Sequence, residues 1–292
     1  MSSMTTIVPS HAAGRPPRTA RLLTLYLPLV LFVIVTLFPF YWMLIASIKS
    51  NNELYNLRAL QFWVTKPTIE HYVYLLQQTM FPRWVVNTLI ISVLSTAISL
   101  LCGVLAGYAL SRLRFWGGTA LGVAIFVTYL VPQTLLFLPL VEVVQSLGLS
   151  NTIWSMVLTY PTFLIPFCTW LLMGYFKTIP KELEESAMID GASRLRAMST
   201  IVPPLALPGV LSAGIFAFTL SWNEFIYALV FTTSTDIKTI PVGVVTELVK
   251  GDVFFWGSLM AGALLGSVPV AMIYSFFVEH YVAGLTAGAV KG

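Results

Sequence analysis

The sequence predicts an all-α integral membrane protein with six transmembrane helices, and three observations carry that prediction. Hydrophobic residues make up 57% of the 292 residues and charged residues only 10%, against roughly 25% charged in soluble domains. Six stretches without a charge cover residues 22–48, 84–111, 115–141, 143–176, 197–223 and 253–278, each long enough for the ~20 residues that cross the hydrocarbon core as a helix. A soluble chain this apolar would need a core out of proportion to its length.

Each element follows from its own residues. Residues 1–21 form a polar tail with Arg15, Arg18, Arg21 and three prolines. The apolar stretch behind it has the length of a retained span rather than of a signal peptide. The second span lies between Arg83 and Arg112, and the third opens after Arg114 as one continuous helix. The fourth begins with polar Gln145, Ser146, Ser150 and Asn151, so its spanning part is expected from about Ile153 to Phe176. The fifth is expected to start after Pro204 and to continue past Glu224 to about Phe231, and the sixth to begin at Val253. With both termini inside, ten Lys and Arg lie on the inner side and six on the outer, as the positive-inside rule favours. The organisation is a cytosolic tail (1–21), a first helix and outer loop (22–82), a five-helix core (83–282) with a cytosolic loop at 178–204, and a C-terminal tail (283–292).

Several functions are disfavoured. No Lys/Arg run with interleaved aromatics marks a nucleic-acid surface, so the net charge of +4 sits in loops. Cys102 and Cys168 fall inside spans and read as packing residues. His11, His71 and His280 are too scattered for a metal site. No G-x-x-x-x-G-K-S/T loop is present to cradle nucleotide phosphates. A transporter of this sequence therefore draws on an ion gradient or on a partner.

The segment from Ile179 to Pro204 favours the partner. Pro180 and the acids Glu182, Glu184 and Glu185 suit the first turn of a helix. Leu183 and Ala187 share a face with Met188 beside them, Gly191 supplies a turn, and a second short helix runs through Leu195 and Met198 to Pro203 and Pro204. The product is a helix-turn-helix outside the bilayer with an apolar knob. Such a knob suits a groove in another protein.

Glu185-Ser186-Ala187, Gly191 four positions later, and Ile201 with Pro204 resemble the E-A-A-x-x-x-G-x(9)-I-x-L-P signature of binding-protein-dependent ABC importer permeases. Ser186 stands for the first Ala and Pro203 for Leu. Trp222-Asn-Glu-Phe and the ending from Ala283 to Gly292 resemble the MalG-like carbohydrate permeases. The resemblance covers nearly the whole chain. It implies a type I ABC importer (MetI-like) core with an additional N-terminal helix, in the bacterial cytoplasmic membrane. It implies that Glu185, Ser186, Ala187, Asp190 and Gly191 dock on the ATPase and that the tail, with Thr286 and Lys291, reaches the ATPase dimer. It further implies that region 232–252 contacts an outer solute-binding protein, periplasmic or lipid-anchored. The implied assembly contains a second homologous permease and two ATPase subunits that use ATP and Mg; this chain binds no cofactor or metal and catalyses nothing itself.

Solute contacts are sought in the spans. On the fifth, Ser212, Phe216, Thr219, Asn223 and Tyr227 recur at helical spacing and offer hydrogen bonds beside flat apolar surface, as sugars require. The same residues would equally serve helix-to-helix hydrogen bonds. Glu224 is the one acid in a span, a costly placement that suggests a role; near the outer interface it would hold a loop. Tyr129 and Gln133, one turn apart in the third span, are further pathway candidates. Gly103-x-x-x-Gly107 and Gly262-x-x-x-Gly266 read as helix packing. Alternatives are a permease for a non-sugar solute, an ion-coupled transporter, which would need intramembrane titratable pairs or broken helices in matching halves, and a membrane enzyme, which would need clustered polar groups.

Overall fold

The computed structural model describes residues 22–56 and 62–289, with side chains through residue 277. Among the described residues five helices are long and apolar enough to span a membrane: α1 (Leu22–Ile48), α4 (Phe81–Arg112), the pair α7 (Ile153–Thr159) and α8 (Pro161–Phe176), α11 (Val202–Trp222), and the first part of α14 (Trp256–Ala289). A sixth is bent. α5 (Gly118–Leu130) and α6 (Gln133–Ser146) meet at 98° across Val131 and Pro132, so the expected continuous third helix is corrected to a broken one. Pro132 has no amide to continue the ladder, and it pushes Val131 into extended backbone at ψ 126°.

Short helices α2 (Asn51–Leu54) and α3 (Glu70–Gln77) join α1 to α4. Between α8 and α11 lie α9 (Glu182–Ile189) and α10 (Arg194–Thr200); beyond α11 come α12 (Ile226–Phe231), α13 (Ile240–Leu248) and a hairpin of β1 (Val249–Lys250) and β2 (Val253–Phe254).

Two further expectations are corrected here. The fifth helix starts at Val202, with the prolines in its first turn where no intrahelical amide is needed, and it stops at Trp222 rather than running to Phe231. The sixth starts at Trp256, because Gly251-Asp252 closes the hairpin that takes Val253 and Phe254. The fourth span begins at Ile153, as its polar leader indicated.

Helix α4 is the axis of the bundle and packs chiefly on α8 and α11. A stripe of small residues makes this possible: Thr88, Ser92, Ser95, Ser99, Gly103 and Gly107 are buried along one face. A Cβ on Gly103 would meet Cys168 Cβ at 2.6 Å, so these glycines bring α4 and α8 into backbone contact, the packing role expected of them. The hydroxyls of Thr88, Ser95 and Ser99 are satisfied within the helix, and Ser95 also reaches across to a neighbour, whereas the buried Ser92 hydroxyl has no partner among the described residues. Ser95 and Ser99 donate to the carbonyls one turn back at 2.7 Å, and Ser95 meets Ser221 of α11 at 2.9 Å. Cross-helix hydrogen bonds of this kind substitute for the hydrophobic drive that lipid removes. Helix α1 lies against α14 and is exposed over most of its length.

Candidate functional site

The α9–α10 connection projects beyond the end of α4, and its residues explain its shape. Glu182, Glu184 and Glu185 stand in the first turn of α9, where the helix dipole welcomes them. At the other end Ala192 N donates to Ala187 O at 2.9 Å and Gly191 N to Met188 O at 3.1 Å, with Gly191 at φ 89°. This is a Schellman cap, which requires the left-handed conformation that glycine adopts freely. Ser193 then caps α10, its hydroxyl accepting from Arg196 N at 3.3 Å. A single residue, Ile201, separates α10 from α11.

The loop is fastened to the bundle by a residue that the sequence marked only as an acid at a helix start. Glu184 is buried; its Oε1 lies 2.7 Å from Arg112 Nε at the end of α4, and its Oε2 accepts from the Tyr108 hydroxyl at 2.7 Å. Arg112 also donates to Ile179 O at 2.8 Å. The signal was present: Glu184 is two positions from Glu182, on the opposite side of a helix, and Arg112 is the first charge after the second span.

The residues of the resembling signature mostly face outward. Glu185, Ser186, Asp190 and Gly191 are exposed, and Ala187 is half-buried. The apolar knob differs from expectation in its members. Met188 turns partly inward, while Ile189 (86% exposed) and Leu195 (74% exposed) flank the glycine turn and join Leu183 as its apolar surface. Three exposed aliphatic side chains on a loop of acids and arginines make a compact surface for a complementary groove.

The solute candidates divide. Thr219 donates to Ile215 O at 2.7 Å and lies 3.4 Å from the Tyr274 hydroxyl, linking α11 to α14. Ser212 donates to Pro208 O and Asn223 to Thr219 O, the latter exposed at the helix end. The break after Trp222 takes Tyr227 off the expected stripe, and Tyr227 is buried among Tyr160, Phe163 and Phe231. Glu224 caps α12: its carboxylate accepts from Tyr227 N at 2.9 Å and Ala228 N at 3.1 Å, with the Tyr160 hydroxyl beside it. That is the loop-holding alternative.

Tyr129 and Gln133 are both exposed, but the bend between them removes the helical register that placed them one turn apart. Tyr129 instead begins a row of rings. It lies 5.9 Å from Phe167 of α8, which lies 5.8 Å from Phe216 of α11. Phe167 was missed because a phenylalanine in an apolar run carries no signal of its own.

At the opposite end of the bundle the connections are tied by polar groups. Asn151 (φ 57°) accepts from Thr233 N and Ser234 N at 3.0 and 2.9 Å and donates to Ser234 Oγ at 2.6 Å. Lys238 Nζ lies 2.8 Å from Glu247 Oε1, and this hydrogen bond holds the Glu247 carboxyl below its ordinary range. Residues 232–252 are thereby a fixed surface. The C-terminal candidates fall elsewhere: Lys291 lies outside the described residues, and Thr286 is on α14 where side chains are not described. Among the described residues no group of acids, histidines and cysteines could hold a metal ion.

Comparison with known proteins places this architecture. Residues 99–286 match the family model described as binding-protein-dependent transport system inner membrane component. The chain is 36% identical over 280 residues to the inner membrane ABC transporter permease protein YcjP of Escherichia coli, covering 94% of this chain and 98% of that one. It is 34% identical over 284 residues to the sulfoquinovosyl glycerol transport system permease protein SmoH of Agrobacterium fabrum (97% and 96% covered). To the trehalose/maltose transport system permease protein MalG of Thermococcus litoralis it is 35% identical over 266 residues (90% and 94%). A crystal structure of a bacterial ABC transporter involved in the import of alginate contains a chain of the same fold, with TM-score 0.74, 21% identity and 91% and 98% coverage. With a family model matching well over half of its residues and relatives above 30% identity along nearly its whole length, the chain belongs to the family of binding-protein-dependent transport system inner membrane components.

Proposed function

We propose that this chain is the permease subunit of an ATP-driven importer for a sugar or sugar-like solute, supplying half of the translocation pathway beside a second, homologous permease. The observation that carries the coupling is the α9–α10 loop, whose exposed surface at Ile189, Gly191 and Leu195 is fastened through Glu184 to Arg112 of α4 and continues through Ile201 into α11. A push on this loop reaches two spans directly.

The proposed sequence of events begins with an outer binding protein, periplasmic or lipid-anchored, releasing solute onto the face carrying residues 232–252. Closure of an ATPase dimer, which uses ATP and Mg, then shifts the loop and reorients the spans. The loop lies on the cytosolic side with both termini. The sugar class is supported by relatives named for trehalose/maltose and sulfoquinovosyl glycerol transport, and by the Tyr129–Phe167–Phe216 row, whose rings offer the flat surface against which sugar rings stack.

Gly191→Trp tests the coupling. The variant should insert and assemble with its partner permease yet lose solute-stimulated ATP hydrolysis; coupled transport at the normal rate would reject the reading.

A further inference from the structure

A cavity of about 740 Å³ opens where the end of α4, the start of α5 and the end of α8 meet. Its size lies in the roughly 300–1,000 Å³ range of small-molecule sites. Arg114 and Lys177 line it where the spans end, and Val123, Phe126 and Trp170, themselves partly exposed, line it further along α5 and α8. No acid lines it. Arg112, two residues from Arg114, is spent on Glu184, but among the described residues neither Arg114 nor Lys177 has an ion-pair partner.

The level of the cavity matters as much as its charge. α4 ends at Arg112, α8 ends at Phe176 and α5 begins at Gly118, so the rim sits where spans leave the hydrocarbon core. Trp116 on the rim is fully exposed and Trp170 is 47% exposed, its ring 6.0 Å from that of Phe126. Tryptophans at this depth are amphipathic anchors of the headgroup layer. A cationic rim over an apolar slot is complementary to an amphiphile with an anionic head, and basic pockets between spans are known to collect such headgroups.

We propose that this cavity binds an anionic phospholipid, with the phosphodiester between Arg114 and Lys177 and acyl chain against Val123, Phe126 and Trp170. The lipid would be held beside the α4–α8 pair, its headgroup at Arg114 two residues beyond Arg112, which fastens the loop through Glu184.

Native mass spectrometry of the assembled transporter, released from nanodiscs of equal phosphatidylglycerol and phosphatidylcholine, tests the site. The unaltered complex should retain phosphatidylglycerol in preference to phosphatidylcholine. Arg114→Gln with Lys177→Gln should reduce that preference on the order of thirty-fold, the contribution of two basic side chains near a membrane surface. Val123→Trp, which fills the slot and leaves both charges, should lower retention of the lipid. Equal retention of the two lipids by the unaltered complex, or an undiminished preference in the double variant, would overturn the proposal. A photoreactive benzoylphenylalanine in place of Trp116, a lining residue that is already a large aromatic and fully exposed, identifies the occupant without filling the slot. A phospholipid adduct supports the site; an adduct with the partner permease or with another stretch of this chain, or no lipid adduct, rejects it.

Discussion

Glu184 Oε1 and Arg112 Nε stand 2.7 Å apart with their side chains 9% and 4% exposed, so that an acid of the extramembrane loop and the last residue of α4 form one buried ion pair. Such a pair is expensive to break from one side, because the abandoned charge stays buried; removing a single partner costs about 3–5 kcal/mol. Glu184→Ala and Arg112→Ala should each lower the melting temperature of the assembled transporter and uncouple ATP hydrolysis from transport. The double substitution Arg112→Met with Glu184→Leu should regain much of the stability without regaining full coupling. Differential scanning measurements beside transport assays distinguish the two effects.

Ile189 and Leu195 are the most exposed apolar side chains of the loop. If they enter a groove on the ATPase, each truncation to Ala should weaken association by about tenfold, the range of a central apolar contact. Membrane insertion should be unaffected. Pull-down of the ATPase by detergent-solubilised permease reads the change; unchanged association of the double variant contradicts the docking surface.

Gly209 sits against the ring of Tyr175, where an added Cβ would come within 2.4 Å of Cγ. Gly209→Ala should therefore destabilise the α8–α11 contact by about 1–3 kcal/mol, the usual cost of overpacking. Adding Tyr175→Leu should recover part of it. Thermal unfolding of the two variants settles the point.

Glu247 is held below its ordinary carboxyl range by the Lys238 hydrogen bond. For a depressed pKa the stabilisation is complete above the unfolded value and disappears as pH falls through the folded one. The stability difference between the unaltered chain and Glu247→Gln should be constant from neutral pH down to about the ordinary carboxyl value of 4.5 and shrink below it. The pair is partly exposed, so the difference should be at most about 1 kcal/mol.

Phe167 bridges Tyr129 and Phe216. Phe167→Ala should weaken solute transport by about twofold to tenfold in apparent affinity, as loss of a ring contact does, with Phe167→Trp close to the unaltered chain. An unchanged KM for uptake would remove this row from the pathway.

Much of the framework was legible because its signals are coarse. Long apolar runs placed the spans, polar Gln145 to Asn151 placed the start of α7, and Gly191 with the acids before it placed the helix-turn-helix. What escaped were interruptions that hydropathy does not register. Pro132 lies in a run without charges, followed by Gln133 and Thr134, yet it bends the third span by 98°. Val253 and Phe254 are apolar but belong to a hairpin closed by Gly251-Asp252. The buried partners Glu184 and Phe167 depend on which neighbour the fold brings near, and a neighbour on another helix leaves no trace in local spacing. Of the stripe from Thr88 to Gly107 only the spacing of Gly103 and Gly107 was read as packing; the small residues before them recur every three or four positions on the same buried face.

The bend at Val131 and Pro132 assigns the two halves of one span to different companions: α5 lies on α8, whereas α6 lies on α12. Pro132 has no amide proton, and Val131 N already reaches back to Thr128 O at 3.2 Å. A change of angle between the halves therefore breaks no helical hydrogen bond. The third span is jointed rather than stiff, and the two companions it serves can change their mutual tilt without breaking a helical hydrogen bond.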